Sequence, residues 1–263
     1  MSAPSQIVFN DGAGYERSMG VWSRLAGEVF LDWLRPPPGQ RWIDVGCGNG
    51  AFTELLMQHC APAEAIGIDP SEGQLAFART RPGANGATFL EGDAMALPFE
   101  QDRFDAATMA LVIFFVPDPA KGVAEMARVV RPGGTAAAYV WDFENGGFPY
   151  EPVQAQFRAI GATPPLPPRL ETARQDVLAA LWHDAGFTDV ETRRITVERS
   201  FPDFEAFWES ITSSPSLRAL VESVSPAQRE TVLARLREVL PTDATGAIRY
   251  AAHANAVRGR LPG

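Results

Sequence analysis

Three aspartates and three glycines carry the chemistry that this sequence can be read for. Asp44 lies two residues before Gly46 in "WIDVGCGNGAF", where Gly46, Gly48 and Gly50 follow at alternate positions. Asp69 closes the apolar run "AIGIDPS", and Asp93 closes "ATFLEGD". A strand, a glycine turn and a helix together aim backbone N–H groups at a ligand, at the positive end of the helix dipole. The spacing fits GxGxG, and "GCGNGA" also satisfies the looser G-x-G-x-x-A of dinucleotide folds, so the glycines leave the ligand undecided. Taken singly, each acid also reads as helix-capping or turn chemistry.

Taken in series, the acids point to a charge preference. A carboxylate at Asp44 faces the mouth of the loop, where it repels a pyrophosphate and suits a cation. Asp69, about twenty residues on, can accept both hydroxyls of a ribose, a role that NAD-binding folds share. Asp93 can accept from an adenine amino group. Three acids at three successive strand ends line the crevice where open α/β sheets bind ligands. They favour a cationic nucleoside: S-adenosylmethionine, whose methionine end carries an ammonium and a sulfonium.

The elements that must position these residues are legible as periodic runs. "RWIDV", "AIGID", "ATFLEGD", a segment within "FDAATMALVIFF", and "TAAAYVWD" read as strands; "AFTELLMQHC", "SEGQLAFART" and "PAKGVAEMARVVR" between them read as helices. Continuously apolar strands alternating with helices indicate a parallel sheet covered on both faces. Before them, residues 9–34 carry helical spacing that "RPPPG" stops. After Trp141 come a Gly- and Pro-rich stretch at 142–170, a helix over "ARQDVLAALWHDAGF", a long strand in "DVETRRITVERSF", two or three helices within 203–240, and a final strand in "GAIRYAAHANAVRG".

Composition narrows the partners. A net charge of −9, from 32 acids against 23 Lys and Arg, argues against nucleic acid or an anionic membrane as the main partner. Cys47 and Cys60 form no CxxC pair, and His59, His183 and His253 are scattered over different elements, so no metal site is expected. "AATMALVIFFV" falls short of the ~20 residues a membrane helix needs, and the N-terminus shows no signal-peptide pattern. A soluble, cytoplasmic protein acting on a small molecule is expected. Asp118 reads as an N-cap, and Asp102 and Asp105 as solvated.

The chain resembles the class I S-adenosylmethionine-dependent methyltransferases, in the small-molecule branch related to the ubiquinone/menaquinone enzymes. "IDVGCGNGAF", "IGIDPSEGQLAFAR" and "LEGDAMALPF" are similar to that family's first three motifs, and "FDAATMALVIFFVPDP" with "EMARVVRPGG" to its fourth strand and the turn before the fifth. "YERSMGVWSRLAGEVFLDWL" resembles the N-terminal helices of one bacterial subgroup. One departure is that Phe114 and Phe115 stand where the family often has a His pair.

The resemblance implies an α/β, Rossmann-like seven-stranded sheet, mostly parallel with the last strand antiparallel, with helices on both faces and helical lid insertions. The resemblance covers about residues 9–142, and one methyltransferase domain over 1–263 is expected: N-terminal lid helices at 9–35, a cofactor-binding core at 41–142, and lid or substrate insertions at 143–170 and 203–240. The implied cofactor set is Tyr15, Asp44, Gly46, Cys47, Gly48, Gly50, Asp69, Pro70, Asp93, Ala94 and Met109. Trp22 is a substrate candidate. So are Phe207 and Trp208, in a cluster with Phe201 and Phe204 that reads equally as core or as an apolar lid. Methyl transfer by in-line displacement needs alignment and desolvation more than a catalytic group, so no catalytic residue stands out. An NAD(P)-dependent oxidoreductase and a non-catalytic S-adenosylmethionine-binding module are the alternatives. Asp44 and the missing Tyr-x-x-x-Lys hydride machinery count against the first. The methyl acceptor and the oligomeric state are not encoded in any of these motifs.

Overall fold

The computed structural model describes residues 16–263. Its sheet is built from β1 (Arg41–Val45), β2 (Glu64–Asp69), β3 (Thr88–Glu91), β4 (Phe104–Ala110), β5 (Val130–Trp141), β6 (Thr188–Phe201) and β7 (Ile248–Arg260), in the order β3-β2-β1-β4-β5-β7-β6. The first five strands pair in parallel, and β7 runs antiparallel to both β5 and β6. The chain moves outward from β1 through β2 to β3, then returns to β4 on the other side of β1. That reversal opens a crevice beyond the C-terminal ends of β1 and β4.

Side chains alternate between two cores, as a two-residue strand period requires. On β5, Ala137, Tyr139 and Trp141 enter one core while Ala136, Ala138 and Val140 enter the other. The first core is covered by α1 (Val21–Leu34, after a π-helical turn at Glu16–Gly20) and α2 (Ala51–Cys60). The second is covered by α4 (Pro119–Val129) and α6 (Gln175–Asp184), following α3 (Glu72–Ala78), which packs on Phe89 of β3. The central strands β1, β2 and β4 are therefore buried on both faces, which is why they are apolar without a polar alternate, while β6 at the sheet edge is largely exposed and polar.

Several boundaries differ from the sequence reading. α5 (Glu151–Ala159) lies inside the Gly- and Pro-rich stretch and buries Val153 and Phe157. Two apolar residues at i,i+4 are too weak a pattern to reveal it among glycines and prolines. The 203–240 segment forms α7 (Phe204–Thr212), α8 (Pro215–Glu222) and α9 (Pro226–Val239). Asp203 caps α7 through the Ala206 N–H at 2.7 Å, and a Ser225–Gln228 capping box starts α9. Asp118 caps α4 through the Lys121 N–H, as expected. Asp105 is not solvated. It pairs with Arg131 at 2.6 Å and Arg41 at 3.3 Å, and although burial pushes its carboxyl upward, those partners hold it below the usual range.

Candidate functional site

The crevice is assembled by the turn after β1. Gly46 and Cys47 donate their N–H groups to the Ile68 carbonyl at 2.7 and 2.9 Å, drawing the loop against the end of β2. Gly46 takes φ +73°, and a Cβ there would come within 2.4 Å of the Val112 side chain, so only glycine fits. Asp69 completes the stitch: Oδ2 accepts the Gly48 N–H and Oδ1 the Ser71 N–H, both at 2.9 Å. Burial pushes the Asp69 carboxyl above its usual range, and these two N–H bonds oppose that. Each oxygen keeps a second lone pair for a ligand hydroxyl.

Asp44 lies deeper, at 1% exposure. Its Oδ2 accepts the Thr53 hydroxyl at 2.6 Å, and its Oδ1 has no hydrogen-bond partner. Burial raises its pKa to about 7; the Thr53 and Thr108 hydroxyls lower it and the charge of Asp69 raises it. A buried carboxylate oxygen without a donor is costly by itself. A cation in the crevice would satisfy it. Burial, with Asp44 and Asp69 beside it, drives the Cys47 thiol well up, so Cys47 is an inert small wall residue.

A cavity of about 630 Å³ results, within the ~300–1,000 Å³ range of small-molecule sites. Asp44, Gly46, Cys47, Gly48, Asp69, Pro70, Asp93 and Ala94 all line it. Asp93 is exposed, with Oδ1 accepting the Met95 N–H at 2.8 Å. Of the other sequence candidates, Gly50 does not line the cavity: its absent side chain lets α2 approach Ala78 and Phe89, which a Cβ would meet at 2.9 and 3.2 Å. Met109 is fully buried in the second core, one residue short of Ala110 and Leu111, which do line the cavity. Tyr15 lies outside the described residues.

Trp22 and Phe207 are fully buried in the first core, and Trp208 packs against it; none of the three lines the cavity. Trp22 meets Tyr250 at 5.1 Å between ring centroids, and Phe207 meets Phe201 at 5.4 Å. Their aromatic spacing marked a helix face correctly, but that face turns to the core. His59, His183 and His253 are also absent from the lining.

The sequence reading did not single out Ser23, Arg24, Leu111, Phe115 or Tyr139 as wall residues. Leu111 takes φ +62°, a left-handed conformation that a leucine holds only under constraint, and its N–H is fixed to the Tyr139 carbonyl at 2.8 Å. Only the "Phe114, Phe115" departure had drawn attention to that turn.

Comparison with known proteins identifies the fold's relatives. The family described as "Methyltransferase domain" matches residues 43–138. Demethylmenaquinone methyltransferase of Renibacterium salmoninarum is 33% identical over 213 residues, covering 73% of this chain and 83% of that protein. The chain belongs to the S-adenosylmethionine-dependent methyltransferases related to the ubiquinone and menaquinone enzymes. Malonyl-[acyl-carrier protein] O-methyltransferase of Methylococcus capsulatus is 35% identical over 127 residues, 47% of this chain but only 46% of that protein. Among solved structures, Haemonchus contortus phosphoethanolamine N-methyltransferase 2 in complex with S-adenosyl-L-methionine superposes with a TM-score of 0.57 at 17% identity, over 97% of this chain and 58% of that one. As a member of the methyltransferase family, shown by the sequence match, the chain takes S-adenosylmethionine as its cofactor. Its crevice fits: the unpartnered Asp44 oxygen suits the ammonium, and Asp69 has lone pairs for hydroxyls. No described helix is long and apolar enough to cross a membrane.

Proposed function

We propose that this methyltransferase methylates an apolar, ring-bearing small molecule of the quinol or phenol type. The carrying observation is the division of the crevice. Its acids, Asp44, Asp69 and Asp93, stand at the ends of β1, β2 and beyond β3, while the β4–β5 side is walled by Leu111, Phe115, Tyr139 and, from α2, Phe52 and Leu55. Among the described wall residues Arg24 is the one cation, half exposed and paired with Glu28 at 3.0 Å. An apolar wall with a cation at its rim favours a neutral or anionic ring over an ammonium. The names of relatives, demethylmenaquinone and 2-phytyl-1,4-naphtoquinone methyltransferases, support the same class.

In this reading Asp69 would accept hydrogen bonds from the ribose hydroxyls, Asp93 from the adenine amino group, and Asp44 would face the methionine ammonium. S-adenosylmethionine supplies an electrophilic methyl group on a sulfonium that is already a good leaving group. The chain supplies alignment and dryness: Leu111 and Phe115 keep water from the reacting centre and set the acceptor in line. α1 brings Ser23 and Arg24 to the rim and so serves as cover. The 203–240 helices contribute no residue to the cavity wall; they back α1 through the Trp22–Tyr250–Phe207 cluster and so act as support.

The test is turnover to S-adenosylhomocysteine across hydroquinones, catechols, amines and carboxylates. Quinols or phenols should be methylated best, and Phe115→Ala should raise KM for them while cofactor affinity holds. A preference for amines would overturn the substrate class. Tight cofactor binding without turnover of any acceptor would favour a binding module instead.

A further inference from the structure

Arg81 is buried at a junction that the cofactor geometry above does not use. Its side chain is 9% exposed, and it binds four separate pieces of the fold. Nε donates to the Asn49 carbonyl at 2.6 Å, and Nη1 to Glu54 of α2 at 2.8 Å. Nη2 donates to Glu16, just before α1, and the same Glu16 oxygen accepts from Asn49 Nδ2 at 3.3 Å. The Phe77 ring lies 5.5 Å from the guanidinium carbon. Glu54 also accepts the Gly83 N–H at 3.0 Å, fixing the turn on which Arg81 sits.

The two carboxylates are unequal. Glu54, at 14% exposure, suffices to neutralise the buried guanidinium, as folding requires. Glu16 is 43% exposed, so its bond is the weaker and salt-screened member. What Glu16 adds is a connection between the run-in to α1 and Asn49. Asn49 is 4% exposed, lies between Gly48 and Gly50, lines the crevice, and holds the first turn of α2 through the Ala51 N–H.

We propose that Glu16 and Arg81 form a latch that seats the Glu16–Gly20 turn before α1 on the glycine loop and sets the rate at which cofactor leaves. Arg81 is then a positioning residue: it does not line the crevice, but fixes Asn49 and, through Glu16, the start of the helix that brings Ser23 and Arg24 to the crevice rim. The proposal holds whatever the acceptor is.

The test uses S-adenosylhomocysteine and the full chain. Dissociation rate by stopped flow and Kd by calorimetry are measured for wild type, Glu16→Gln, Arg81→Lys and Glu16→Gln/Arg81→Lys. Glu16→Gln should speed dissociation and raise Kd about 5- to 20-fold, the value of one partly exposed charge-assisted bond. Its ligand-free melting temperature should stay near wild type, because Glu54 still neutralises Arg81. Wild-type dissociation should also quicken with added salt. Arg81→Lys, which keeps the charge but loses the planar fork, should give a similar loss. The double variant should be little worse than Arg81→Lys alone, since both remove one connection. A Glu16→Gln protein with Kd and dissociation rate within twofold of wild type would overturn the latch. So would a large fall in its ligand-free melting temperature, which would make Glu16 a general support of the fold. Failure of the wild type itself to bind would instead count against the cofactor assignment.

Discussion

If Asp44 faces the cofactor's ammonium, as proposed, cofactor affinity should depend on pH in a range where few carboxylates titrate. The pKa of Asp44 is about 7, because burial at 1% exposure outweighs the Thr53 hydroxyl bond and the nearby Thr108 hydroxyl, and Asp69 adds like charge. The bound cofactor's ammonium would favour the ionised form, so binding below pH 7 must expel a proton. Kd should then scale as 1 + 10^(7−pH): about twofold above its plateau at pH 7, ~10-fold at pH 6 and ~100-fold at pH 5. The assay is calorimetry with S-adenosylhomocysteine from pH 5 to 7, where an α-amino group of pKa about 8 stays charged. Repeating it in buffers of different ionisation enthalpy counts the protons released.

Asp44→Asn should bind weakly and lose most of the pH slope, which separates Asp44 from Asp69, whose carboxyl is also pushed up. The stability sign runs the other way. A carboxyl whose folded pKa exceeds its ordinary 3.8 binds protons more tightly folded than unfolded. The ligand-free protein should therefore lose stability from this group as pH rises from about 3.8 to 7, by up to roughly 4 kcal/mol. Asp44→Asn should melt higher than wild type above pH 7, the gain reduced to about 1–3 kcal/mol by the weakened Thr53 bond. A Kd that is flat from pH 7 to 5, or an unchanged slope in Asp44→Asn, would refute the reasoning.

Asp69→Ala should weaken cofactor binding ~10²–10⁴-fold by calorimetry, and should also cost the fold ~1–3 kcal/mol in denaturant, because the Gly48 and Ser71 N–H groups lose their acceptor. Unchanged affinity would remove Asp69 from the site. Gly46→Ala should cost more than ~2 kcal/mol and abolish binding, since its Cβ meets Val112 at 2.4 Å; Val112→Ala in the same chain should restore part of both. A Gly46→Ala protein that binds normally would mean the turn can relax. Phe207→Ala should cost ~3–5 kcal/mol while leaving turnover per folded molecule unchanged, as expected of a ring with 0% exposure. Altered kinetics with intact stability would return Phe207 to the acceptor pocket.

The β1–loop–α2 unit was legible because its signals are local. Apolar runs, a glycine turn and a helical period mark "RWIDVGCGNGAFTELLMQHC" without reference to the rest of the chain, and the structure places β1 at Arg41–Val45 and α2 at Ala51–Cys60. The same holds for Asp44 and Asp69, since a strand end can be read from where an apolar run stops, whereas β3 ends at Glu91, short of Asp93. Pairwise geometry was not legible. That Asp69 is tied to Gly48 twenty-one residues away, and that Asp44 keeps one oxygen without a donor, follows from β1 and β2 lying side by side. Met109 shows how sharp the limit is: a two-residue strand period sends it to the second core, while neighbouring Ala110 and Leu111 meet the crevice. Trp22 and Phe207 show the same limit on helices. Spacing tells which residues share a helix face, but only the packing of α1, α7 and β7 around Tyr250 decides what that face touches. Arg81 carried no signal at all, because Glu16, Asn49 and Glu54 are 65, 32 and 27 residues away in the chain and only the fold brings the two carboxylates and the Asn49 carbonyl around it.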